Sequence, residues 1–162
     1  MEVREAVTDD AEAMSNVLRA IIAHTGRQRR TEPSFMVSNY INHPESVRCS
    51  VAIDEQRNLI GFQSLVRSWP GNPYDVPHGW GIVGTHISPL AHRKGVGTAL
   101  FAVTKVAAEA AGLLKIDAYI GSDNPAALHY YEAQGFQTYR QNQDVVQKAY
   151  KVGNDAFPRA GN

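Results

Sequence analysis

The chain has 162 residues, 43% of them hydrophobic and 20% charged, a composition typical of a globular protein with one domain. Lysine plus arginine and aspartate plus glutamate both number 16, so the formal net charge is zero, which disfavours a nucleic-acid-binding role. No apolar run is long enough to span a membrane, and residues 1–5 lack the pattern of a secretion signal. Cys49, the single cysteine, is predicted to be a core thiol, which favours the reducing cytoplasm.

The predicted secondary structure alternates strands and helices along the chain. In chain order the elements are a strand at 2–7, a helix opened by 8–10, a helix at 34–42, strands at 46–53, 59–68 and 80–88, a helix from Val96 that Gly112 ends, a strand at 115–120, a helix from Asn124 that Gly135 ends, and strands at 136–140 and 145–152. The order β-α-α-β-β-β-α-β-α-β-β predicts a single mixed α/β domain over residues 1–152. The tail, 153–162, is predicted to be weakly ordered.

Two loops carry side chains that turn chemistry alone does not explain. The segment 26–33 contains three arginines, which indicate either a solvated loop or a contact with an acidic substrate or a phosphate. The segment 69–80 contains three aromatic residues, which either line a pocket or hold the loop in place. Gly81 and Gly84 lie inside the strand that follows, and glycine there indicates a bulge or a close backbone approach.

The stretch His92-Arg-Lys-Gly-Val-Gly-Thr-Ala-Leu100 opens the long helix and predicts a phosphate site. Gly95 and Gly97 allow close approach to the backbone, and the first N–H groups and the dipole of a helix attract an anion. The G-x-x-x-x-G-K-[ST] pattern of a nucleotide-triphosphate loop is absent. A dinucleotide fingerprint would need a small residue where Leu100 stands.

The same stretch resembles the acetyl-CoA loop of the GNAT family of N-acetyltransferases, whose signature is [QR]-x-x-G-x-[GA]; here His92 occupies its first position. The run Asn124-Pro-Ala-Ala-Leu-His-Tyr-Tyr-Glu-Ala-Gln-Gly-Phe136 is similar to the second signature of the family, N-x-x-A-x-x-x-Y-E-x-x-G-F. The resemblance covers roughly residues 1 to 150. A weaker likeness to the phosphinothricin-acetyltransferase branch involves the N-terminal strand and helix and the cofactor loop.

The resemblance implies the GNAT fold, with strands four and five splayed apart, and acetyl-CoA as cosubstrate with no metal. In the family, backbone amides of the loop bind the pyrophosphate. The fourth strand and an asparagine contact the pantetheine arm. The corresponding residues here are Arg93, Lys94, Gly95, Val96, Gly97 and Thr98 for the pyrophosphate, and Thr85, His86, Ile87 and Asn124 for the arm. A backbone amide of the fourth strand is expected to polarise the thioester carbonyl.

Tyr131 corresponds to the family tyrosine that faces the cofactor sulfur as general acid. Periodicity alone would favour a core tyrosine, and its position in the second signature favours the catalytic role. Tyrosine titrates near ~10 and a thiol near ~8.5, so full proton transfer to a thiolate is uphill by roughly 2 kcal/mol. A hydrogen bond that stabilises the leaving sulfur is therefore easier to defend than complete transfer of the proton.

The residue that takes the proton of the amine is left open by the sequence. Some relatives carry a glutamate on the fifth strand, five residues before the asparagine, and Tyr119 stands at that position here. Asp117 shares the strand face of Tyr119, and His86 has a suitable intrinsic pKa, although a lone strand histidine is more often structural. A base that acts through ordered water is an equal alternative.

These observations predict an acetyl-CoA-dependent N-acetyltransferase that acts on a primary amine, with a small molecule as the favoured acceptor. One alternative is acetylation of a protein N-terminus or lysine. Another is a non-catalytic acyl-CoA-binding domain, which the missing glutamate favours and Tyr131 disfavours. A homodimer is a possible assembly.

Overall fold

The fold is built on one mixed sheet. The computed structural model describes residues 1–91 and 94–153. Its strands are β1 (Glu2–Glu5), β2 (Ser46–Ile53), β3 (Leu59–Arg67), β4 (Gly81–Ile87), β5 (Lys115–Gly121), β6 (Gln137–Gln141) and β7 (Val145–Lys151). They lie side by side in the order β1-β2-β3-β4-β5-β7-β6. All neighbours are antiparallel except β4 and β5, because the connection between these two strands crosses over the sheet through a helix.

The helices are α1 (Ala11–Thr25), α2 (Pro33–Met36), α3 (Val96–Ala110) and α4 (Pro125–Ala133). A π-helical segment, Val37–Ile41, continues α2 and completes the second predicted helix. The predicted order of elements and the mixed α/β class are therefore confirmed. Of the predicted C-terminal tail, only Gly153 lies within the described residues. Within residues 1–91 and 94–153, no helix is both long and apolar enough to cross a membrane.

Alternation along the strands divides the core between the two faces of the sheet. Met14, Leu18, Tyr40 and Phe62 form a buried cluster on the face that α1 and α2 cover. On the opposite face a second buried cluster joins α3 and α4 to the sheet; its members include Leu65, Phe101, Ile116, Tyr131 and Phe136. Consecutive strand residues point to opposite faces, so neighbours in sequence on β4 serve different sides of the protein.

The parallel pair β4 and β5 separates part of the way along. Its register covers only Gly81 with Ile116, Ile82 with Asp117, and Val83 with Ala118. Beyond Val83, β4 stays paired with β3 as far as Ile87, while β5 stays paired with β7 as far as Gly121. The two strands therefore diverge, which confirms the splay that the resemblance implied.

Neither strand glycine forms a bulge. The register between β3 and β4 runs without a shift from Gly61 opposite Ile87 to Arg67 opposite Gly81. Gly81 instead marks a close approach, since a Cβ there would lie 2.8 Å from side-chain carbons of Leu65 and Leu113. Because no bulge interrupts β4, His86 keeps the orientation that simple alternation gives it.

Candidate active site

A cleft of about 1070 Å³ opens where β4 and β5 diverge. Both strands line it, β4 with residues 82–87 and β5 with residues 119–121. The beginnings of α3 and α4 line one side, and the loop at 24–29, together with Trp69 and Tyr74, lines the other. The cleft thus passes between the strands and is bordered by both faces of the sheet.

Tyr131 is buried at the side of the cleft that α3 and α4 border. Its hydroxyl oxygen lies 2.7 Å from Thr85 Oγ1 on β4, in hydrogen-bond contact. Its ring packs on Tyr130 and Phe136. Burial raises the pKa of the Tyr131 hydroxyl above its ordinary value, so the group stays protonated at neutral pH. The structure therefore places a rigidly held hydroxyl, rather than a phenolate, next to β4.

Tyr130 locks the start of α3 against α4. The Tyr130 hydroxyl donates to the Gly97 carbonyl at 2.8 Å. A Cβ at Gly97 would lie 2.5 Å from Tyr130 Cε1 and 3.1 Å from Ile87 Cδ1. Gly97 is buried by these side chains, so its lack of a side chain serves helix packing. Gly97 also lines the cleft, so its contact with the cofactor stays a prediction.

The Gly97 carbonyl determines which groups donate in the hydrogen bonds between Tyr130 and Gln63. The Gly97 carbonyl can only accept, so the Tyr130 oxygen is left to accept from Gln63 Nε2 at 3.2 Å. The same nitrogen donates to Thr85 Oγ1 at 2.8 Å. Either hydroxyl of the Thr85–Tyr131 pair can be the donor, and when Thr85 donates, the Tyr131 proton can point into the cleft.

The loop before α3 retains the features predicted for an anion site. Gly95 adopts φ +75° as the N-cap of α3, and no atom lies within 4 Å of the position that a Cβ would take. Lys94 and Thr98 are exposed, and Val96 is buried in a cluster that Ile87 packs against. Arg93 lies outside the described residues. Unlike Gly97, Gly95 combines a left-handed backbone with open space, so this is the position where a ligand has room.

Asn124 is both a helix cap and a cleft residue. Its side-chain oxygen accepts a hydrogen bond from the Ala127 N–H at 3.2 Å, at the start of α4. It also lines the cleft close to the end of β5. Pro125 follows at the first helical position.

His86 faces the side of the sheet that α1 and α2 cover, opposite to Thr85 and Tyr131. Its ring stacks near Phe62 and Tyr40, with centroid distances of 4.8 and 5.4 Å. Arg29 Nη1 lies 3.2 Å from His86 Nδ1, so Nδ1 accepts a hydrogen bond from the guanidinium. Burial, and to a lesser degree the positive charge of Arg29, lowers the pKa of His86 to about 3. In this arrangement His86 is neutral, and one ring nitrogen is already occupied.

Asp117 does not reach the cleft. It lies opposite Ile82, before the strands diverge, and it is fully buried. Asp117 Oδ1 accepts hydrogen bonds from the Tyr139 hydroxyl at 2.6 Å and from Gln147 Nε2 at 3.0 Å, while Oδ2 has no hydrogen-bond partner among the described residues. Burial raises the pKa of Asp117 to about 6. Strand alternation predicted the face of Asp117, but strand pairing and the hydrogen bond from Tyr139 keep its carboxylate out of the opening.

The acceptor side, which we define as the loops 26–32 and 69–80 with His86, is held by side chains from distant parts of the chain. Arg27 pairs with Asp123 next to α4. Arg140 Nη2 donates to the carbonyl oxygens of Tyr74 and Asp75 at 3.1 and 2.8 Å. Both loops are therefore tied to the C-terminal half of the sheet.

Sequence reasoning did not select Gln63, Tyr130 or Arg29. Gln63 had one signal, because it is a polar residue inside the apolar strand β3 and points inward. Tyr130 was not selected because the signature has one tyrosine position, and Tyr131 occupies it. Arg29 could be named only as one of three arginines in a loop.

The diverging strands, the glycine-led helix and the buried tyrosine define the class of protein. Residues 14–136 match the sequence profile of the Acetyltransferase (GNAT) family, and the chain belongs to that family. No curated protein matches the chain at a significant level.

Solved structures with the same fold cover nearly the whole chain. One is a GNAT superfamily phosphinothricin acetyltransferase from Sinorhizobium meliloti in complex with acetyl-CoA, with a TM-score of 0.76, 20% identity, and coverage of 94% of this chain and 88% of that one. Another is a GNAT protein from Kribbella flavida, with a TM-score of 0.77, 19% identity, and coverage of 93% and 97%. A third is a ribosomal-protein-alanine N-acetyltransferase from Brucella melitensis, with a TM-score of 0.73, 16% identity, and coverage of 94% of this chain and 100% of that one.

Proposed function

We propose that this protein transfers the acetyl group of acetyl-CoA to the primary amine of a small molecule. The observation that carries the proposal is the divergence of β4 and β5, with the Tyr131 hydroxyl held beside the opening. Beyond Val83, the β4 backbone groups that would pair with β5 have no strand partner among the described residues. An extended arm that contains amide groups can pair with such an edge as an added strand.

The described residues fit acetyl-CoA at three points. The open edge of β4 suits the pantetheine arm, and Asn124 at the end of β5 can contact it. The start of α3, with open space at Gly95, suits the pyrophosphate, because helix N-terminal N–H groups and the dipole favour an anion. These residues would hold the cosubstrate so that its thioester lies near Thr85 and Tyr131.

Acetyl-CoA would supply the acetyl group as an activated thioester. Transfer forms a C–N bond, breaks the C–S bond and releases one proton from the nitrogen. With Thr85 as the donor to its oxygen, Tyr131 would donate a hydrogen bond to the departing sulfur. Its raised pKa argues for a hydrogen bond in place of full proton transfer. The proton of the amine would leave towards water or His86 on the acceptor side.

Two observations favour a small-molecule acceptor, and a third favours the cytoplasm. The acceptor-side loops are tied down by Arg27 and Arg140, which limits the entry of a folded protein segment. Trp69 and Tyr74 line the cleft there and give it an apolar wall. Cys49 is a buried free thiol, as expected for a reducing compartment.

The test is release of free CoA thiol from acetyl-CoA across a panel of small primary amines and peptides with free N-termini. We expect thiol release with at least one class of small amine, and mass spectrometry should show its N-acetyl product. Turnover of peptides alone would favour the protein-acetylating alternative. Calorimetric binding of acetyl-CoA without thiol release for any amine would favour the non-catalytic alternative.

A further inference from the structure

The three arginines of the loop between α1 and α2 have different partners. Arg27 pairs with Asp123, and Arg30 Nη2 lies 3.0 Å from Glu32 Oε2 with its guanidinium over the ring of Phe35. Arg29 is exposed, lines the cleft, and has no carboxylate within ion-pair distance among the described residues. Its contact is the neutral ring of His86. Of the two arginines that line the cleft, Arg27 and Arg29, only Arg29 therefore lacks a carboxylate partner among the described residues.

The surroundings of Arg29 favour an anion. No aspartate or glutamate is among the described residues that line the cleft. The ionisable side chains there that can carry a positive charge are Arg27, Arg29 and histidines on both sides of the opening. A cationic acceptor would meet no compensating charge in this cleft. An anionic acceptor would find in Arg29 a planar donor with several N–H groups that matches a carboxylate.

The location of Arg29 assigns it to the acceptor and separates it from the pyrophosphate. It contacts His86 and lies beside Tyr40, on the face that α1 and α2 cover. The start of α3 and Tyr131 belong to the opposite face. His86 and Thr85 are consecutive residues of β4, so Arg29, which contacts His86, lies beside the strand segment that also carries Thr85.

We propose that Arg29 binds an anionic group of the acceptor, which is therefore an acidic amine, such as an amino acid, whose amine and carboxylate are only a few bonds apart. The inference rests on the proposed acetyl transfer and specifies its substrate class. When an oxyanion occupies the guanidinium, Arg29 turns from His86 Nδ1 to the ligand. That ring nitrogen is then free to accept a hydrogen bond or a proton from the amine side of the acceptor.

The experiment compares common L-amino acids with their carboxamides, which keep the amine and the side chain and lose the negative charge. We expect the wild-type protein to acetylate the free acids with a kcat/KM higher by roughly 10- to 100-fold, the range for a hydrogen-bonded charged group. Arg29→Gln should remove this preference by lowering activity on the acids, and Arg29→Lys should retain part of it. Arg30→Gln is the matched control, since Arg30 has its own partners outside the cleft, and it should keep the preference.

Several results would overturn the assignment of Arg29. These are equal activity on acids and carboxamides, a preference that persists in Arg29→Gln, or an Arg29→Gln variant whose defect lies in acetyl-CoA binding. Calorimetric titration of the same amino acids into the CoA-loaded protein separates this inference from the acetyl transfer itself. Binding that Arg29→Gln abolishes, without thiol release, would support the acid site and refute the transferase. Absence of amino-acid binding and of acetylation by the wild-type protein would refute the acid site.

Discussion

The two sides of the cleft are held together by different interactions. On the side of α3 and α4, uncharged groups form a continuous hydrogen-bonded chain in which Gln63 connects Thr85 with Tyr130. On the acceptor side, the contacts involve charged groups from remote loops, as in Arg27 with Asp123 and Arg29 with His86. The first side fixes the position of one hydroxyl. The second side presents charge to the cleft, so under the proposed function the geometry of reaction and the choice of acceptor would reside in separate parts of the molecule.

Removal of the Tyr131 hydroxyl tests the uncharged side most severely. Tyr131→Phe should lower kcat by roughly 10- to 1000-fold, with little change in the apparent KM for acetyl-CoA, because the hydrogen bond strengthens as charge develops on sulfur. Tyr139→Phe is the matched control, since it removes a hydroxyl that bonds Asp117 outside the cleft. A kcat for Tyr131→Phe equal to that of the control, with chemistry shown to limit the rate, would make Tyr131 a packing residue.

Variants of the two glycines at the start of α3 test helix packing and ligand binding separately. Gly97→Val should destabilise the protein by about 1–3 kcal/mol, because the new side chain meets Tyr130 and overpacks the helix junction. Gly95→Ala should cost about 1–2 kcal/mol, since only the left-handed backbone opposes it. Urea unfolding measures both values, and titration with CoA measures binding. Unchanged CoA affinity in a folded Gly97→Val protein would contradict the assignment of this helix start to the cofactor.

The buried carboxyl of Asp117 makes the stability of the folded protein depend on pH. Its folded-state pKa of about 6 lies above the ordinary value of 3.8. Between these values the carboxyl ionises in the unfolded chain but not in the folded protein, so the folded protein loses stability as the pH rises towards 6. Asp117→Asn lacks this ionisation. Between about pH 4.5 and about pH 8, the variant should gain about 2 kcal/mol relative to the wild-type protein. Urea titrations at the two pH values test this, and a difference independent of pH would show that Asp117 keeps an ordinary pKa.

The direction of the hydrogen-bonded chain predicts the smallest effects. Gln63→Leu removes the donor to Thr85 and should lower kcat by about 10-fold, the loss expected for one hydrogen bond. Thr104→Val removes only the hydroxyl that donates to Gln63 Oε1 and should cost less than Gln63→Leu. In both variants kcat should fall while KM for acetyl-CoA stays constant, which distinguishes a role in orienting Thr85 from a general loss of stability. Equal losses for both variants would argue against a directional chain.

Features encoded in short segments could be predicted from the sequence. The start of α3 at Val96 and the start of α4 at Asn124 each depend on residues within one helical turn, and both are found as expected. The splay of β4 and β5 was available only through the resemblance, since no single strand encodes its distance from a neighbour. The packing of Tyr130 against Gly97 could not be predicted, because Tyr130 comes from another helix.

Contacts between remote residues could not be predicted. Arg29 and His86 are 57 residues apart, and Gln63 and Tyr130 are 67 apart. Strand alternation gave the face of Asp117 correctly but not its depth, because the point at which two parallel strands separate depends on packing on both faces. The acceptor side consists mainly of such contacts, and for this reason its chemistry emerges only from the folded arrangement.

The separation of β4 from β5 also creates an edge strand in the interior of a sheet. Edge strands present unpaired N–H and C=O groups on which other chains can assemble, and natural proteins shield them to avoid aggregation. Here the edge beyond Val83 lies at the bottom of a cleft with helices on both faces, not at the margin of the sheet. A strand of a second sheet would have to enter this cleft to pair with the edge, whereas a strand at the margin of the sheet would be open to it directly. The recess therefore protects the protein from self-association through the same strand that it makes accessible to a ligand.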